Sequence, residues 1–234
     1  MIVSQKPDHI RNMFASIARR YDLINHLLSL GTDIYWRRAV VHALSKRIEK
    51  NPILALDLCC GTADLSLALS KVGWIVGCDF CHPMLTIGRD KIRRKNKSAE
   101  IFLAEGDALH LPFHDNTFDA ITIGFGLRNL ADTRDGLREM RRVLRTGGVL
   151  VILEFSKPVI PGLRELYKFY FKHILPRIGR WVSGEVGPYS YLPFSVEAFP
   201  DQEKLKSLLK NLGYRQVDYQ NLSGGIAALH IACK

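Results

Sequence analysis

The sequence of 234 residues has no apolar run that approaches the length of a membrane-spanning helix. Residues 1–15 also lack the apolar core of a secretory signal peptide. There are no repeats or low-complexity tracts, and 47% of the residues are hydrophobic, which argues against a disordered chain. The sequence therefore predicts a single cytoplasmic domain over residues 1–234 with a sizeable core.

Cysteine is scarce and is not arranged for metal binding. Among the five cysteines, Cys59, Cys60 and Cys78 fall at predicted strand ends, where small apolar residues belong. The stretch 78–82, Cys-Asp-Phe-Cys-His, has two cysteines and a histidine, but no second paired cluster follows to complete a four-ligand site. The sequence therefore predicts reduced cysteines and no metal.

The glycines of a dinucleotide-binding loop are also missing. Residues 54–64 read Leu-Ala-Leu-Asp-Leu-Cys-Cys-Gly-Thr-Ala-Asp, which predicts a buried strand, a tight turn at Gly61 and the start of a helix. In the pattern Gly-x-Gly-x-x-Gly, Cys59 and Asp64 occupy the first and third glycine positions. Asp64 would also place a negative charge where a diphosphate lies against the helix N-terminus. A dehydrogenase-like nucleotide binder is therefore disfavoured.

A second apolar run, residues 74–79, ends in an acid and changes the interpretation of this loop. An acid that closes a second parallel strand, here Asp79, can accept hydrogen bonds from both hydroxyls of a ribose. S-adenosylmethionine fits the loop because it has no phosphate, carries cationic sulfonium and amino groups, and has a carboxylate that backbone N–H groups near Gly61 can meet. Without Asp79, a purely structural strand, turn and helix would be the favoured alternative.

The pattern of strand and helix continues downstream. Residues 101–108 predict a third strand that ends in Gly-Asp-Ala, where Asp107 could accept a hydrogen bond from an adenine amino group. Residues 118–126 predict a fourth strand, residues 133–144 a surface helix, and residues 149–154 a fifth strand after Gly147-Gly148. Strands that alternate with helices indicate parallel pairing and an α/β sheet.

The formal net charge of +10 invites a search for an anionic partner. Basic residues cluster at 91–97 and on the predicted helix at 138–145, where solvated helix faces are the simplest interpretation. Nucleic acid is disfavoured as a partner, because the chain at the end of the fourth strand reads Gly-Phe-Gly-Leu rather than Asn-Pro-Pro-Tyr, and no Pro-Cys nucleophile is present. A membrane surface is the other candidate, since anionic head groups attract Lys and Arg.

The segment 160–181 is dense in aromatic and aliphatic residues and carries interleaved basic side chains. Such a segment can lie in a lipid interface as a greasy lid, or it can pack an apolar stripe on the domain. Pro176 is expected to kink or break a helix there. The basic residues are Arg164, Lys168, Lys172, Arg177 and Arg180.

Several stretches together resemble the ubiquinone/menaquinone biosynthesis C-methyltransferase family of class I S-adenosylmethionine-dependent methyltransferases. They include Phe-Ala-Ser-Ile-Ala-Arg-Arg-Tyr-Asp-Leu-Ile-Asn at 14–25, Leu-Asp-Leu-Cys-Cys-Gly-Thr at 56–62, Gly-Phe-Gly-Leu-Arg-Asn at 124–129, Arg-Glu-Met-Arg-Arg-Val-Leu at 138–144 and Leu-Glu-Phe-Ser-Lys-Pro at 153–158. Residues 189–200 and 223–230 complete the set, so the resemblance runs from about residue 10 onward. The glycine loop is generic to methyltransferases, whereas the fourth- and fifth-strand motifs are specific to the quinone branch.

The resemblance implies a Rossmann-like α/β fold with a seven-stranded, mostly parallel sheet, an antiparallel C-terminal hairpin and a helical N-terminal cap. The expected divisions are the cap at 7–49, a cofactor-binding core at 53–158, an insert or substrate lid at 159–195, and a C-terminal helix and hairpin at 196–234. Thr32-Asp33 is expected to cap the helix that contains Trp36.

The resemblance also implies C-methylation of a prenylated quinol, in the first place demethylmenaquinol to menaquinol. A methoxy-benzoquinol of ubiquinone biosynthesis is the alternative, and an RNA or other small-molecule methyltransferase is a more distant one. Peripheral contact at the inner face of a membrane fits such a substrate. The sequence leaves the choice between monomer and homodimer open.

The family pattern assigns cofactor contacts to four residues: Thr62 to the methionine end, Asp79 to the ribose, and Asp107 with Ala108 to the adenine. Gly61 supplies the turn, and Tyr21 in the cap is expected to close over the cofactor. Ala63 stands where glycine is common in relatives and should be tolerated if its φ is negative. Gly124 stands where serine is common, which removes a hydroxyl contact.

For catalysis we expect Arg128 and Asn129, just after the fourth strand. The guanidinium could stabilise a forming quinolate, and the amide could orient that oxygen or an activating water. The alternative is that both residues only stabilise a turn.

Overall fold

The computed structural model describes residues 7–48, 52–170 and 187–234, with the side chains of Lys168 and residues 187–190 excepted. Seven strands form one sheet in the order β3-β2-β1-β4-β5-β7-β6. Strands β1 to β5 pair in parallel, and β7 runs antiparallel to both β5 and β6. The strands are β1 Ile53–Leu58, β2 Gly73–Asp79, β3 Ile101–Glu105, β4 Phe118–Gly124, β5 Leu144–Phe155, β6 Arg215–Leu222 and β7 Ala227–Cys233. The predicted seven-stranded sheet and its antiparallel hairpin are confirmed.

Helices cover both faces of this sheet. In the described residues, three short 3₁₀ turns, Ala18–Arg20, Leu127–Asn129 and Ser223–Gly225, interrupt the connections. The helices are α1 Pro7–Ile17, α2 Tyr21–Leu28, α3 Thr32–Arg47, α4 Asp64–Leu69, α5 His82–Arg94, α6 Thr133–Val143, α7 Leu163–Phe169, α8 Gly187–Ala198 and α9 Gln202–Asn211. Parallel strands need such crossover helices, and the helices bury the near-continuous apolar runs of the central strands on both sides.

Two buried clusters form the core, one on each face. One cluster joins β1, β4 and β5 to α6 and α9 through residues such as Leu137, Met140 and Leu209. The other joins the same sheet to α3, α4 and α5 through residues such as Val40 and Leu69. The large apolar surface removed from water on both faces is the main force that holds the sheet rigid beneath its loops.

Several predicted boundaries are corrected by the backbone. β5 begins at Leu144 rather than at 149, because Gly147, with φ 77°, lies in an irregularity of the ladder instead of ending the preceding element. β4 ends at Gly124, since Phe125 turns the chain with φ 58°. β3 ends at Glu105, so Asp107 belongs to the loop that follows.

The predicted cap of α3 is also wrong. The residue before the helix is Gly31, in the left-handed conformation with φ 77°, and it makes no side-chain capping bond. The Asp33 carboxylate instead accepts hydrogen bonds from Ser29 Oγ at 2.8 Å and Arg37 Nη2 at 2.6 Å. Side-chain capping occurs elsewhere, as at α6, where Asp132 accepts from the backbone N–H groups of Arg134 and Asp135.

Only part of the predicted basic and aromatic segment 160–181 is described. It contains α7, on which Leu166 is 63% exposed and Phe169 is 55% exposed. Lys172, Pro176, Arg177 and Arg180 lie outside the described residues. Among the helices that the structure describes, none has both the length and the apolar character to cross a membrane.

Candidate active site

A cavity lies where β1, β2 and β4 end, and we call it the strand-end cavity. Loops meet at this edge because the carboxyl ends of parallel strands lie together. Its lining includes the predicted residues Tyr21, Gly61, Asp79, Asp107, Ala108 and Asn129. Six of the eight predicted site residues, which are distant in sequence, are thus brought together. Residues of this lining that the sequence did not single out include Arg11, Phe14 and Phe80.

The loop after β1 adopts an unusual backbone. Cys59, Gly61 and Ala63 all have positive φ, at 54°, 54° and 66°. Glycine occupies such a conformation without steric cost, whereas Ala63 pays a strain of roughly 1 kcal/mol. The condition of a negative φ that the sequence set for Ala63 is therefore not met. Its methyl group is fully buried, and the packing around it holds the strained turn.

Asp79 organises this loop from the end of β2. One carboxylate oxygen accepts from the Gly61 N–H at 2.8 Å and the other accepts from the Cys81 N–H at 2.9 Å. Burial raises the pKa of the Asp79 carboxyl, and the hydrogen bonds from Cys81 and Gly61 counter that rise. The expectation that the loop amides are free for a ligand carboxylate is corrected for Gly61, which donates to Asp79, and for Ala63, which donates to Cys60 O.

Asp107 and Ala108 form the opposite part of the lining. One oxygen of Asp107 accepts from the Leu109 N–H at 2.9 Å, while 60% of its side chain stays exposed. Its second oxygen can therefore meet a ligand amino group. Ala108 is 5% exposed and contributes an apolar surface against which a flat ring can lie.

Thr62 is 3% exposed and is not among the lining residues of the strand-end cavity. Its hydroxyl donates to Asp22 Oδ1 at 2.5 Å and accepts from Lys91 Nζ at 3.1 Å. Lys91 also donates to Asp22 Oδ2 at 2.8 Å and to Asp64. Thr62 thus connects the loop to α2 and α5, and the charge of Asp64 is paired with Lys91 rather than left to repel an anion.

A second and larger cavity, of about 470 Å³, lies beside the first, and we call it the apolar cavity. It is walled by α2, α3, α7 and α8 together with the chain after β4 and β5. The apolar and aromatic part of its lining includes Ile17, Ile24, Leu28, Trp36, Phe155, Leu163, Leu166, Tyr167, Tyr170 and Tyr191. Phe14, Tyr21 and Phe125 line both cavities, so the two share a wall.

Three aromatic rings form one side of the apolar cavity. The Phe125 ring centroid lies 4.7 Å from that of Phe155 and 5.7 Å from that of Trp36, and Trp36 and Phe155 are 6.0 Å apart. Trp36 Nε1 donates to Ser223 Oγ at 3.0 Å, which fixes the indole in place. Rings at these distances pack favourably and offer stacking surface to a flat ligand.

The two predicted catalytic residues occupy one 3₁₀ turn but line different cavities. Arg128 lines the apolar cavity, and Asn129 lines the strand-end cavity. Arg128 Nη1 donates to Glu154 Oε1 at 2.7 Å and to Phe125 O at 2.5 Å, and its guanidinium carbon lies 5.2 Å from the Phe155 ring centroid. Its Nε is buried without a hydrogen-bond partner in the described part of the chain.

Asn129 is held by two hydrogen bonds. Its Nδ2 donates to Phe125 O at 3.2 Å, and its Oδ1 accepts from Tyr191 Oη at 3.0 Å. Sequence reasoning missed Glu154 and Tyr191. Glu154 closes β5 with an acid as Asp79 closes β2, which was a usable signal, whereas Tyr191 carried none.

The described residues contain no group of three or more His, Cys, Asp or Glu side chains able to hold a metal ion. The donor set of the strand-end cavity instead fits S-adenosylmethionine. Asp79 and Asp107 supply acceptors for ribose hydroxyls, an adenine amino group and positive charge, and no cluster suited to a diphosphate stands in the way. The sheet order and this carboxylate-lined cavity define a class I S-adenosylmethionine-dependent methyltransferase.

The comparison with protein families is more specific. The model of the ubiE/COQ5 methyltransferase family matches residues 2–234, and the chain belongs to this family. The predicted family, the methyltransferase class and the methyl donor are thereby confirmed.

Relatives with curated names are similar over nearly their whole length. A protein of Thermus thermophilus named demethylmenaquinone methyltransferase is 46% identical over 222 residues, which cover 94% of this chain and 98% of that protein. One of Idiomarina loihiensis named ubiquinone/menaquinone biosynthesis C-methyltransferase UbiE is 42% identical over 231 residues, covering 97% and 91%.

Solved structures agree on the fold. A putative S-adenosylmethionine-dependent methyltransferase of Methanococcus maripaludis matches with a TM-score of 0.64 at 21% identity, covering 100% of this chain and 97% of that one. A methyltransferase of Aquifex aeolicus matches with a TM-score of 0.60 at 18% identity, covering 82% and 88%. At these identities the likeness concerns the fold alone.

Proposed function

We propose that the protein transfers the methyl group of S-adenosylmethionine to a ring carbon of a prenylated naphthoquinol, converting demethylmenaquinol to menaquinol. The observation that carries this proposal is the aromatic-walled apolar cavity, which shares Phe14, Tyr21 and Phe125 with the strand-end cavity. Relatives named demethylmenaquinone methyltransferase support the naphthoquinol. A methoxy-benzoquinol stays the alternative, because other relatives carry the ubiquinone/menaquinone name.

The apolar cavity suits a quinol with a lipid tail. A volume of about 470 Å³ falls within the range of roughly 300–1,000 Å³ common for small-molecule sites. Trp36, Phe125 and Phe155 can stack against the fused ring, and burying hydrocarbon there contributes about 25 cal/mol per Å². The tail can leave past Leu30, which lines the cavity and is 86% exposed.

For the donor, we assign Asp79 to the ribose hydroxyls and Asp107 with Ala108 to the adenine. Gly61 keeps the turn open, and Tyr21 covers the donor from α2. Thr62 does not line the strand-end cavity, so we assign it to holding the loop through Asp22 rather than to contact with the methionine end. When bound, S-adenosylmethionine supplies an electrophilic methyl group.

The residues of the protein must make a ring carbon of the quinol nucleophilic. A neutral quinol is a poor carbon nucleophile, and a phenolic hydroxyl loses its proton only near a reference pKa of about 10. Arg128 stabilises the negative charge that develops on the ring oxygen as the hydroxyl proton passes to water, and the methylated ring carbon then loses its own proton to water to restore the aromatic ring. Asn129 lines the strand-end cavity rather than the cavity of the quinol, so we assign it to holding the turn of Arg128 through its bonds with Phe125 O and Tyr191. The dry pocket keeps the reactants near attack distance.

We also propose that the α2–α3 turn contacts the membrane that holds the substrate. Exposed apolar side chains lie beside the mouth of the apolar cavity, and Leu30, which is 86% exposed, is the most exposed of them. Its backbone, with φ 50°, forms the turn between α2 and α3. Its neighbours Leu23, Leu27, Ile34 and Tyr35 are 63%, 43%, 43% and 56% exposed. Exposed apolar groups of this density mark a contact surface, and lipid is the source of the substrate.

The test of the reaction uses purified protein, S-adenosylmethionine with a labelled methyl group, and chemically reduced demethylmenaquinone. We expect the label in menaquinone recovered from the lipid extract. Turnover of the methoxy-benzoquinol alone would establish the alternative, and label in added RNA or in a water-soluble product would overturn the quinol proposal. Arg128→Lys should lower kcat about 10- to 100-fold with an unchanged donor Kd. Arg142→Lys on α6, also paired with carboxylates, is the matched control.

The membrane contact is tested by sedimentation with vesicles that contain one fifth anionic lipid. Leu30→Asp should reduce the bound fraction several-fold. Phe102→Asp, which changes another exposed apolar residue, 59% exposed on β3, should leave it unchanged. Equal binding by both variants and the unaltered protein would contradict the assignment of the turn.

A further inference from the structure

A carboxylate that the proposed reaction does not use lies directly behind Arg128. Glu154, near the end of β5, is 1% exposed. Its oxygens accept from Arg128 Nη1 at 2.7 Å, from the Arg128 backbone N–H at 3.3 Å and from the Phe155 N–H at 2.8 Å. Few carboxylates are buried this fully unless they are paired, and this one is paired with the residue proposed to meet the substrate oxygen.

Nη1 of the Arg128 guanidinium is fully hydrogen-bonded within the described part of the protein, whereas Nε is not. Both hydrogens of Nη1 are used, one by Glu154 and one by Phe125 O. The Phe155 ring covers one face of the group, with its centroid 5.2 Å from the guanidinium carbon. Nε is buried without a partner in the described residues, although Arg128 lines the apolar cavity. A buried donor of this kind is costly unless a ligand acceptor meets it.

We propose that Glu154 is a positioning residue for methyl transfer. It holds Nη1 of Arg128 inside the protein so that the remaining donors meet the ring oxygen of the quinol. The inference rests on the proposed function. In this proposal Glu154 has two roles that can be separated. The length of its side chain sets where the Arg128 guanidinium lies, and its negative charge balances the positive charge beside the ring oxygen.

The effect of the Glu154 charge can be seen at two tyrosines of the apolar cavity, Tyr167 and Tyr191. Burial raises the pKa of Tyr167 and of Tyr191, and for both the nearby Arg128 acts to lower the pKa while Glu154 acts to raise it. A quinol hydroxyl in this cavity lies under the same two opposed charges. The other titratable groups that line the apolar cavity are Tyr21, Asp33, Arg37 and Tyr170. A substitution of Glu154 leaves all four of these residues in place. A shift in the pKa of a bound hydroxyl therefore reports on the pair of Arg128 and Glu154.

Two variants separate the two roles. Glu154→Gln keeps the length and removes the charge, and Glu154→Asp keeps the charge and shortens the reach. With demethylmenaquinol, we expect Glu154→Gln to move the acidic limb of the kcat–pH profile to lower pH by about one unit, because Arg128 is no longer balanced. We expect Glu154→Asp to lower kcat about 10- to 100-fold without moving the acidic limb of the kcat–pH profile. A displacement of the guanidinium by about 1 Å is enough to lower the rate by such a factor.

A probe independent of turnover gives the same comparison. 1-Naphthol, an aromatic hydroxyl of the right class, should bind the apolar cavity, and its bound ionisation is read from its fluorescence. We expect the bound pKa to fall by about one unit in Glu154→Gln and to stay unchanged in Glu154→Asp. Glu139→Gln, which alters another carboxylate paired with arginine, is the control that should change nothing.

The outcomes distinguish the inference from the function on which it rests. Failure of 1-naphthol to bind, together with no turnover of any quinol by the unaltered protein, would remove the proposed function. Normal turnover and binding with no shift in Glu154→Gln would overturn the role of the Glu154 charge. A wild-type kcat in Glu154→Asp would overturn the role of its length. Where Glu154→Gln fails to bind S-adenosylmethionine because it does not fold, Glu154→Asp decides alone through kcat.

Discussion

The two cavities differ in how the chain builds them. The strand-end cavity takes most of its lining from loops that follow consecutive strands, and its acidic groups, Asp79 and Asp107, both stand in or beside these loops. The apolar cavity takes its lining from residues 13 to 226, mostly from helices that only the folded chain brings together. The difference teaches that the sheet determines how the donor binds, whereas helices added around the sheet determine what receives the methyl group.

The buried carboxylates differ in the same way. Glu154, beside the apolar cavity, is paired with Arg128. Asp57 on β1, beneath the loop of the strand-end cavity, has no such cation beside it among the described residues and accepts hydrogen bonds from two hydroxyls, Ser66 Oγ at 2.6 Å and Thr122 Oγ1 at 2.9 Å. Burial raises the pKa of Asp57 to about 6, which the two hydroxyls only partly counter.

The largest expected effect tests whether the cavities bind independently. Asp79→Ala removes the proposed ribose acceptor and the hydrogen-bond partner of the Gly61 N–H, so the Kd for S-adenosylmethionine should rise more than about 100-fold in calorimetry. Binding of 1-naphthol, followed through the fluorescence of Trp36 in the apolar cavity, should change less than about threefold. Asp90→Ala, an exposed carboxylate on α5, is the control. A parallel loss of both ligands would show that the division into two sites is wrong.

The next effect concerns the buried carboxylate of β1. Because the folded-state pKa of Asp57 is raised, the native state binds more protons than the unfolded state between about pH 4 and pH 6. Its contribution to stability is therefore present below pH 4 and is lost as the pH rises through 6. The free energy of unfolding of Asp57→Asn, minus that of the unaltered protein, should increase by about 3 kcal/mol from pH 4 to pH 7. Urea titrations that give a constant difference would contradict this.

A smaller effect is expected at the apolar cavity. Tyr170 Oη donates to Leu28 O at 2.9 Å and so joins the end of α7 to the end of α2. Tyr170→Phe should cost about 1 kcal/mol of unfolding free energy and raise the KM for the quinol a few-fold, with the donor Kd unchanged. Tyr219→Phe, whose hydroxyl bonds Glu203 away from both cavities, should leave the KM alone. An altered donor Kd in Tyr170→Phe would show that the shared wall transmits the change.

The smallest effect is expected in the loop after β1. Ala63→Gly relieves a left-handed φ of 66° but loses a buried methyl group and loosens the unfolded chain. These terms nearly cancel, so the unfolding free energy should change by less than about 0.5 kcal/mol. Ala55→Gly in β1, where no strain is relieved, should cost about 1–2 kcal/mol. Equal losses in the two variants, measured by thermal unfolding, would mean that Ala63 carries no strain.

The comparison also explains which parts were predictable. Asp79 and Asp107 could be proposed as site residues because short apolar runs that end in an acid mark buried strands, and the carboxyl ends of parallel strands meet at one edge. The left-handed φ of Ala63 was not predictable, since only the packing around its buried methyl group stabilises it. The Lys91 partnership of Asp64 spans 27 residues and depends on how α5 packs, so the sequence argument from the charge of Asp64 was incomplete.

The apolar cavity was least predictable. The sequence leaves open whether the segment 160–181 lies in a lipid interface or packs on the domain, and it does not show that α2 and α3 of the N-terminal cap form the cavity wall together with α7. No periodicity tells which helix faces will enclose an empty space rather than a packed core. Glu154 behind Arg128 follows from strand order, because β4 and β5 are neighbours in the sheet.

The hydrogen bonds that Asp22 accepts from Thr62 and Lys91 have a consequence for how the two ligands affect each other's binding. They join the first turn of α2 to the loop after β1, and later residues of the same helix line the apolar cavity. A donor that orders this loop should therefore also order the wall of the apolar cavity and favour binding of the quinol. Thermodynamic reciprocity then requires that the bound quinol lowers the Kd of S-adenosylmethionine by the same factor. Such coupling favours neither order of binding, and because the two cavities are expected to bind largely independently, the factor should stay below about threefold.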